Sequence, residues 1–261
     1  MTSSVIIFDN FFKSFGGLQF IARWLHVLSG ITWIGLLYFF NFVQTPAYAE
    51  LSPGARNEAF DKLTWRALWW FRWAAMSTFA FGILMLGIYS SADTAPGVKN
   101  YADPTSVKGA AILTGILFGV TMLANVWMII WPNQQIVIGS VRKQLAGGEA
   151  DPAQPGSAKK AARASRSNTF FSITMLWFMV FTSHFAGAYS NSGDLSNVAI
   201  YWVMVLVLWA FVEGSALGYI GGLDSAFNKL VFDDHKKTLI YGFVYWAVIF
   251  FVGWEILLKN V

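Results

Sequence analysis

Long apolar stretches dominate this chain. A helix needs roughly 20 apolar residues to cross the hydrocarbon core of a bilayer, and six stretches reach that length, at about 18–43, 66–90, 107–131, 168–190, 198–221 and 238–258. The pattern predicts an all-α fold, a polytopic bundle of about six transmembrane helices forming a single integral-membrane domain over residues 1–261. Two shorter pieces, SSVIIFDNFFKSF before the first span and NQQIVIGSVRKQL after the third, have the amphipathic look of helices lying along the interface. Pro132 is expected to end the third span, because proline removes a helical hydrogen bond and its ring crowds the preceding turn. Between the third and fourth spans, AGGEADPAQPGSAKKAARASRSN is rich in Gly, Pro, Ala and Lys. It reads as a mobile loop over about 146–166, and the halves it separates show no internal repeat.

Composition strengthens the membrane reading. The chain is 56% hydrophobic and 12% charged, against about 25% charged residues in soluble domains. Its net charge of +4 does not point to nucleic acid, because the basic residues gather in the loops between apolar spans. The loops after the first, third and fifth spans carry Arg56, Lys62 and Arg66, then Arg142, Lys143, Lys159, Lys160, Arg163 and Arg166, then Lys229, Lys236 and Lys237. Lys and Arg accumulate on the cytoplasmic side of membrane proteins. Both termini are therefore expected outside, in the periplasm if the chain sits in a bacterial inner membrane. The N-terminus lacks a basic start and a cleavage site, so the first span is expected to serve as its own insertion signal. No cysteine is present, which removes disulfides, thiolate zinc sites, iron–sulfur clusters and CxxCH haem attachment from consideration.

Ionisable groups at membrane depth cost roughly 2.5 kcal/mol or more at the centre, so each needs a partner or a task. His26 lies in the outer half of the first span and His184 in the outer part of the fourth, and antiparallel helices bring the two to similar depth. Neutral imidazoles from different helices suit axial ligation of haem iron, and the bundle offers an apolar slot. Small residues, Ser29 and Gly30 after His26 and Ala186, Gly187 and Ala188 after His184, would admit a macrocycle, with Trp33 as a wall. The pattern thus suggests haem b, its iron held by His26 and His184; the plain alternative is that each histidine is a hydrogen-bonded packing residue. His235, in FDDHKK, reads as a solvated loop residue.

A second polar cluster lies toward the cytoplasmic side. Asn41 and Gln44 end the first span, Arg72 stands near the start of the second, and Asn125 with Asn133 and Gln134 of WPNQQ mark the third. Ser167, Asn168 and Thr169 open the fourth, and Glu213 lies in the inner half of the fifth. Amides, one guanidinium and one carboxylate converging between helices could hold a polar planar molecule by paired hydrogen bonds. Otherwise these are polar helix ends, with Arg72 reaching toward the headgroups and pairing with Glu213. GILFG, from Gly115 to Gly119, matches the small-xxx-small pattern of helix packing.

Three blocks, WLHVLSGITWIGLLYFFNFVQTP, WMIIWPNQQ and SRSNTFFSITMLWFMVFTSHF, together resemble the N-terminal membrane domain of the bacterial membrane-bound urate oxidase family. The first block alone also resembles haem-binding protoporphyrinogen oxidases and copper-resistance membrane proteins. The family resemblance implies oxidation of urate to 5-hydroxyisourate, with electrons passed to a cytochrome c. In that family the cytochrome is fused C-terminally, whereas this chain ends at Val261 without a CxxCH, so a separate cytochrome c is the expected acceptor. On this reading Arg72, Asn41, Asn125, Asn133 and Gln134 orient a urate-like anion, and Glu213 takes its proton. The alternative function is a non-catalytic, haem-binding membrane subunit of a larger respiratory or electron-transfer complex.

Overall fold

The structure, a computed structural model, describes residues 15–92, 101–186, 195 and 197–258; residues 3–14 of the expected N-terminal amphipathic piece and the small residues Gly187 and Ala188 lie outside them. Among the described residues there are seven helices and no strand. They are α1 (Gly16–Glu50), α2 (Pro53–Ile88), α3 (Val107–Leu145), α4 (Gln154–His184), α5 (Val198–Ala216), α6 (Ala226–Phe232) and α7 (His235–Leu257). All but α4 and the short α6 are long and apolar enough to cross a membrane. The chain is a multi-pass helical membrane protein.

The sixth expected span is the second half of α4, and its lower hydropathy has a structural cause. This helix is the hub: Ser172 meets Tyr38 of α1, Phe171 packs on Phe118 of α3, Ser167 bonds Glu213 of α5, and Phe170 packs on Phe232 of α6 and Tyr245 of α7. A helix sheathed by other helices need not be apolar on every side. Ser167, Asn168, Thr169, Ser172 and Thr174 are all buried in it, facing protein.

Two expectations are corrected. Residues 154–166, read as part of a mobile loop, form the first turns of α4, with Pro155 in the opening turn where proline is tolerated. Ala, Lys and Arg in this stretch are good helix formers, and buried Ala161, Arg163 and Ala164 fasten it to the fold. Nor does Pro132 end the third span, or NQQIVIGSVRKQL form a separate interfacial helix. The helix runs on through Pro132 to Leu145, because a wide π turn at Asn125–Ile130 immediately precedes the proline. A wider turn relaxes the ring's clash with the preceding carbonyls. The same device recurs in α1, where the π turn Phe39–Gln44 precedes Pro46.

At 39 residues α3 is about 58 Å long, against a hydrocarbon core of about 30 Å. Its surplus length, with the start of α4 and with α6, makes a polar end to the bundle. Arg142 pairs with Asp61 at 2.5 Å, Lys159 with Asp224, and Arg163 with Asp233. Gly115 and Gly119 do serve packing: a Cβ on Gly115 would stand 3.2 Å from Met179 Cε, and one on Gly119 3.9 Å from Met175 Cγ. These glycines let α3 lie close on α4.

The other end of α3 supplies a test of the packing. Ser106 caps the helix by accepting from the Gly109 N–H at 3.0 Å, and a Cβ on Gly109 would fall 1.8 Å from the Asp103 carbonyl oxygen. Backbone cannot yield as a side chain does, and overpacking typically costs about 1–3 kcal/mol. Gly109→Ala should therefore lower the melting temperature in detergent clearly. Gly139→Ala, on the same helix with open space around it, should leave it unchanged.

Candidate functional site

The buried polar core lies between α3, α4 and α5. The π turn of α3 opens on Asn125, 2% exposed. Its Nδ2 donates to Asn168 Oδ1 at 2.9 Å, and Asn168 Nδ2 in turn donates to the Met122 carbonyl at 2.9 Å. Ser167 Oγ donates to Glu213 Oε2 at 2.6 Å, and the Asn125 amide lies beside the same carboxyl. Glu213 is therefore held by a neutral hydroxyl of α4, with a neutral amide of α3 beside it. Among the described residues no cation pairs with it.

Asn41 joins the same hub from the opposite side. It sits in the π turn of α1, with Nδ2 donating to Ser165 Oγ of α4 at 2.8 Å and to the Leu37 carbonyl at 2.8 Å. Gln44, one turn on, accepts from Thr64 Oγ1 of α2 at 3.2 Å. The π turns of α1 and α3 thus each carry an asparagine that bonds to α4.

Arg72, Asn133 and Gln134 do not enter this core. The Arg72 guanidinium lies 3.3 Å from the centre of the Trp131 ring and 5.3 Å from that of Trp127, while Nε donates to the Leu68 carbonyl at 3.3 Å. A cation over indole faces is well satisfied. The expected Arg72–Glu213 pair is replaced by this stacking, because Arg72 meets the indoles of α3 while Glu213 meets the amide and hydroxyl of α3 and α4. Asn133 Nδ2 donates to the Ile129 carbonyl of its own helix at 2.8 Å, and Gln134 Oε1 is buried without a hydrogen-bond partner. The polar cluster expected as one site is two: a carboxyl–amide core at α3–α4–α5 and an arginine–tryptophan stack at α2–α3.

The sequence did not single out Ser165, Asn228 or Thr78. Asn228, fully buried, donates through Nδ2 to the Ser215 carbonyl at 2.6 Å and the Gly222 carbonyl at 3.1 Å, and Arg163 Nη1 donates to its own carbonyl at 3.2 Å. These contacts tie the end of α5 to α6 and to α4. Only their tertiary neighbours distinguish them from ordinary loop and helix-end residues.

The histidines are level but face apart. Tyr38 of α1 and Ser172 of α4 meet at 2.9 Å; His26 lies twelve residues before the first and His184 twelve after the second, which is about 18 Å along each axis. At about 100° per residue, each step also carries the side chain about 120° round its helix in the same sense seen from one end. On helices standing side by side, that turns the two rings to opposite faces of the α1–α4 contact. Contacts agree with this placement. His26 Nδ1–H donates to the Thr78 carbonyl of α2 at 2.7 Å, whereas His184 is exposed, on the stripe of α4 that carries Val180 and Trp177, the latter packed on Trp246 and Phe250 of α7.

His26 alone has the setting of a haem ligand. A carbonyl acceptor fixes the proton on Nδ1 and leaves the Nε2 lone pair for a metal, the usual arrangement of metal-bound histidine. Trp33 follows on the same face of α1, 4% exposed, with its indole N–H buried and unpartnered. Among the described residues no three His, Asp or Glu side chains converge as a metal cluster. A metal at His26 would rely on a macrocycle for its remaining ligands.

Comparison with curated proteins and with solved structures gave no match. A protein-family comparison did, over a little under half of the chain, covering α3, α4 and α5 with Asn125, Ser167, Asn168, His184 and Glu213 but neither His26 nor Arg72. Over residues 99–216 the chain matches the family model described as urate oxidase N-terminal, and in this stretch it is similar to that family.

Proposed function

We propose that this chain is a haem b-containing membrane oxidoreductase that oxidises urate or a similar small substrate and passes electrons to a separate cytochrome c. The observation that carries the reading is the position of Glu213. It is a carboxylate in an apolar span, inside the matched family region, held by a serine beside an asparagine, and among the described residues no cation pairs with it. Such a carboxyl can take a proton without breaking an ion pair, as a general base must. Asn125, whose amide touches that carboxyl, is placed to orient an oxygen or ring nitrogen of a planar substrate, and Asn41 serves the same layer from α1. Arg72 keeps its charge on the Trp131 face, at the cytoplasmic entry, where it can attract an anion.

His26 holds the haem through Nε2, and Trp33 flanks it. Bound there, the haem supplies one-electron chemistry between substrate and acceptor. His184, on the other face of the α1–α4 contact, is left available to an outer partner. The cytochrome binds at the outer side, with both termini outside and the basic loops within, in the inner membrane of a bacterium. A second reading, a non-catalytic haem-binding subunit of a larger electron-transfer complex, draws on the internal satisfaction of Arg72 and Asn133.

The deciding measurement is a reduced-minus-oxidised spectrum with a pyridine haemochrome assay on purified protein, His26→Ala and His184→Ala. A b-type signal is expected in the wild type and in His184→Ala, and it should vanish in His26→Ala. Anaerobic reduction of oxidised cytochrome c by urate then separates the two readings. A haem-loaded chain that reduces none is the subunit.

A further inference from the structure

The approach of His26 to Thr78 raises a packing problem, and its solution is a residue that nothing above has used. A carbonyl inside an α-helix points along the axis toward residue i+4, whose N–H it accepts. A side chain from a neighbouring helix can reach that oxygen only by passing over residue i+4. For Thr78 that residue is Gly82. A Cβ built on Gly82 would lie 3.1 Å from His26 Cε1 and 3.3 Å from Nδ1, so the imidazole edge rests where a side chain would otherwise stand. The Thr78 carbonyl has two lone pairs, one for the Gly82 N–H and one for the imidazole. Thr78 Oγ1, which could compete for the ring, donates instead to the Ala74 carbonyl at 2.7 Å.

We infer that Gly82 is a positioning residue: its bare Cα opens the Thr78 carbonyl to His26, which fixes the proton on Nδ1 and keeps Nε2 as the binding nitrogen. The inference rests on the proposed function only for what Nε2 binds. The placement of the ring stands without it. A Cβ at 82 makes the ring give by a few tenths of an ångström, and a branched side chain drives it off the carbonyl, so that either nitrogen can carry the proton and the ring loses its fixed direction. Loss of such an outer partner of a metal-bound histidine typically weakens binding about 10- to 100-fold.

The test uses the full chain in detergent or nanodiscs, as wild type, Gly82→Ala, Gly82→Val and the control Gly35→Ala, whose Cβ would meet nothing within 4 Å. The first readout needs no haem. Nitrogen-15 NMR of haem-free protein should show the His26 signal, assigned by its loss in His26→Ala, as an imidazole protonated at Nδ1 and hydrogen-bonded. That signature should weaken in Gly82→Ala and be lost in Gly82→Val, while Gly35→Ala matches the wild type. The second readout is the rate of haem loss to an excess of apomyoglobin, expected to rise about 10- to 100-fold in Gly82→Val and less in Gly82→Ala. If Gly82→Val does not fold, Gly82→Ala decides. An unchanged His26 signal in the folded variants overturns the positioning role, whatever the haem result. A wild type without a b-type spectrum but with the predicted NMR shifts leaves Gly82 in its role and removes the haem instead.

Discussion

Glu213→Gln is expected to leave a folded, haem-loaded protein that has lost urate-dependent reduction of cytochrome c by about 10²- to 10⁴-fold, the usual share of a general base. Glutamine keeps an oxygen that can accept from Ser167, whose Oγ lies 2.6 Å from the native carboxyl, but it cannot take a proton. Structure and chemistry therefore separate in this variant. Melting temperature and haem content should match the wild type while turnover collapses. Near-wild-type turnover would refute the role given to Glu213. Glu213→Leu should show a different defect, because it leaves the buried Ser167 hydroxyl without its acceptor, at about 1–3 kcal/mol for the orphaned group. Rate loss with stability loss in the leucine variant, and rate loss alone in the glutamine variant, is the expected pair.

The largest loss of stability is expected from Asn168→Leu. Asn168 is fully buried, accepts from Asn125 and donates to the Met122 carbonyl, so a leucine strands the Asn125 amide donor and leaves the Met122 carbonyl only its bond from the Asn125 backbone N–H. At about 1–3 kcal/mol for the stranded donor, beside the lost bond to the Met122 carbonyl, thermal unfolding in detergent should occur at a markedly lower temperature. Asn125→Leu combined with Asn168→Leu should recover part of the loss, because removing both partners of a buried hydrogen bond costs less than removing one. The Met122 carbonyl and the Glu213 contact remain affected, so recovery is incomplete. A double variant as unstable as the sum of the two single ones would mean that the amide pair does not couple α3 to α4.

The bundle was legible in the sequence because long apolar runs have one solution in a bilayer, in which every backbone group must find its partner within its own helix. The helix that departs from this logic is α4: its serines, threonines and Asn168 lower its hydropathy because they face α1, α3 and α5 rather than lipid. Glu213 and Asn125 stood out as polar groups at depth, and they prove to be partners. Arg72 was grouped with them and is not part of their cluster, since hydropathy reports depth along a helix but not the face. The histidines teach the same lesson. Counting residues placed His26 and His184 at one level, and only Tyr38 meeting Ser172 showed that they turn apart. The linker reading of residues 146–166 took Ala and Lys together with Gly and Pro, whereas the Ala, Lys and Arg that follow Pro155 are helix formers and open α4.

The wide turns before Pro46 and Pro132 bear on how relatives of this chain should be compared. A π turn is, in effect, one residue inserted into a helix. It shifts the phase of everything beyond it, so that the residues after each wide turn face about 100° away from where an unbroken α-helix would carry them. An aligned sequence that is one residue shorter at 39–44 or at 125–130 would therefore carry a change of facing, even with every motif residue present. A gap of one position there deserves the weight of a substitution in the site itself.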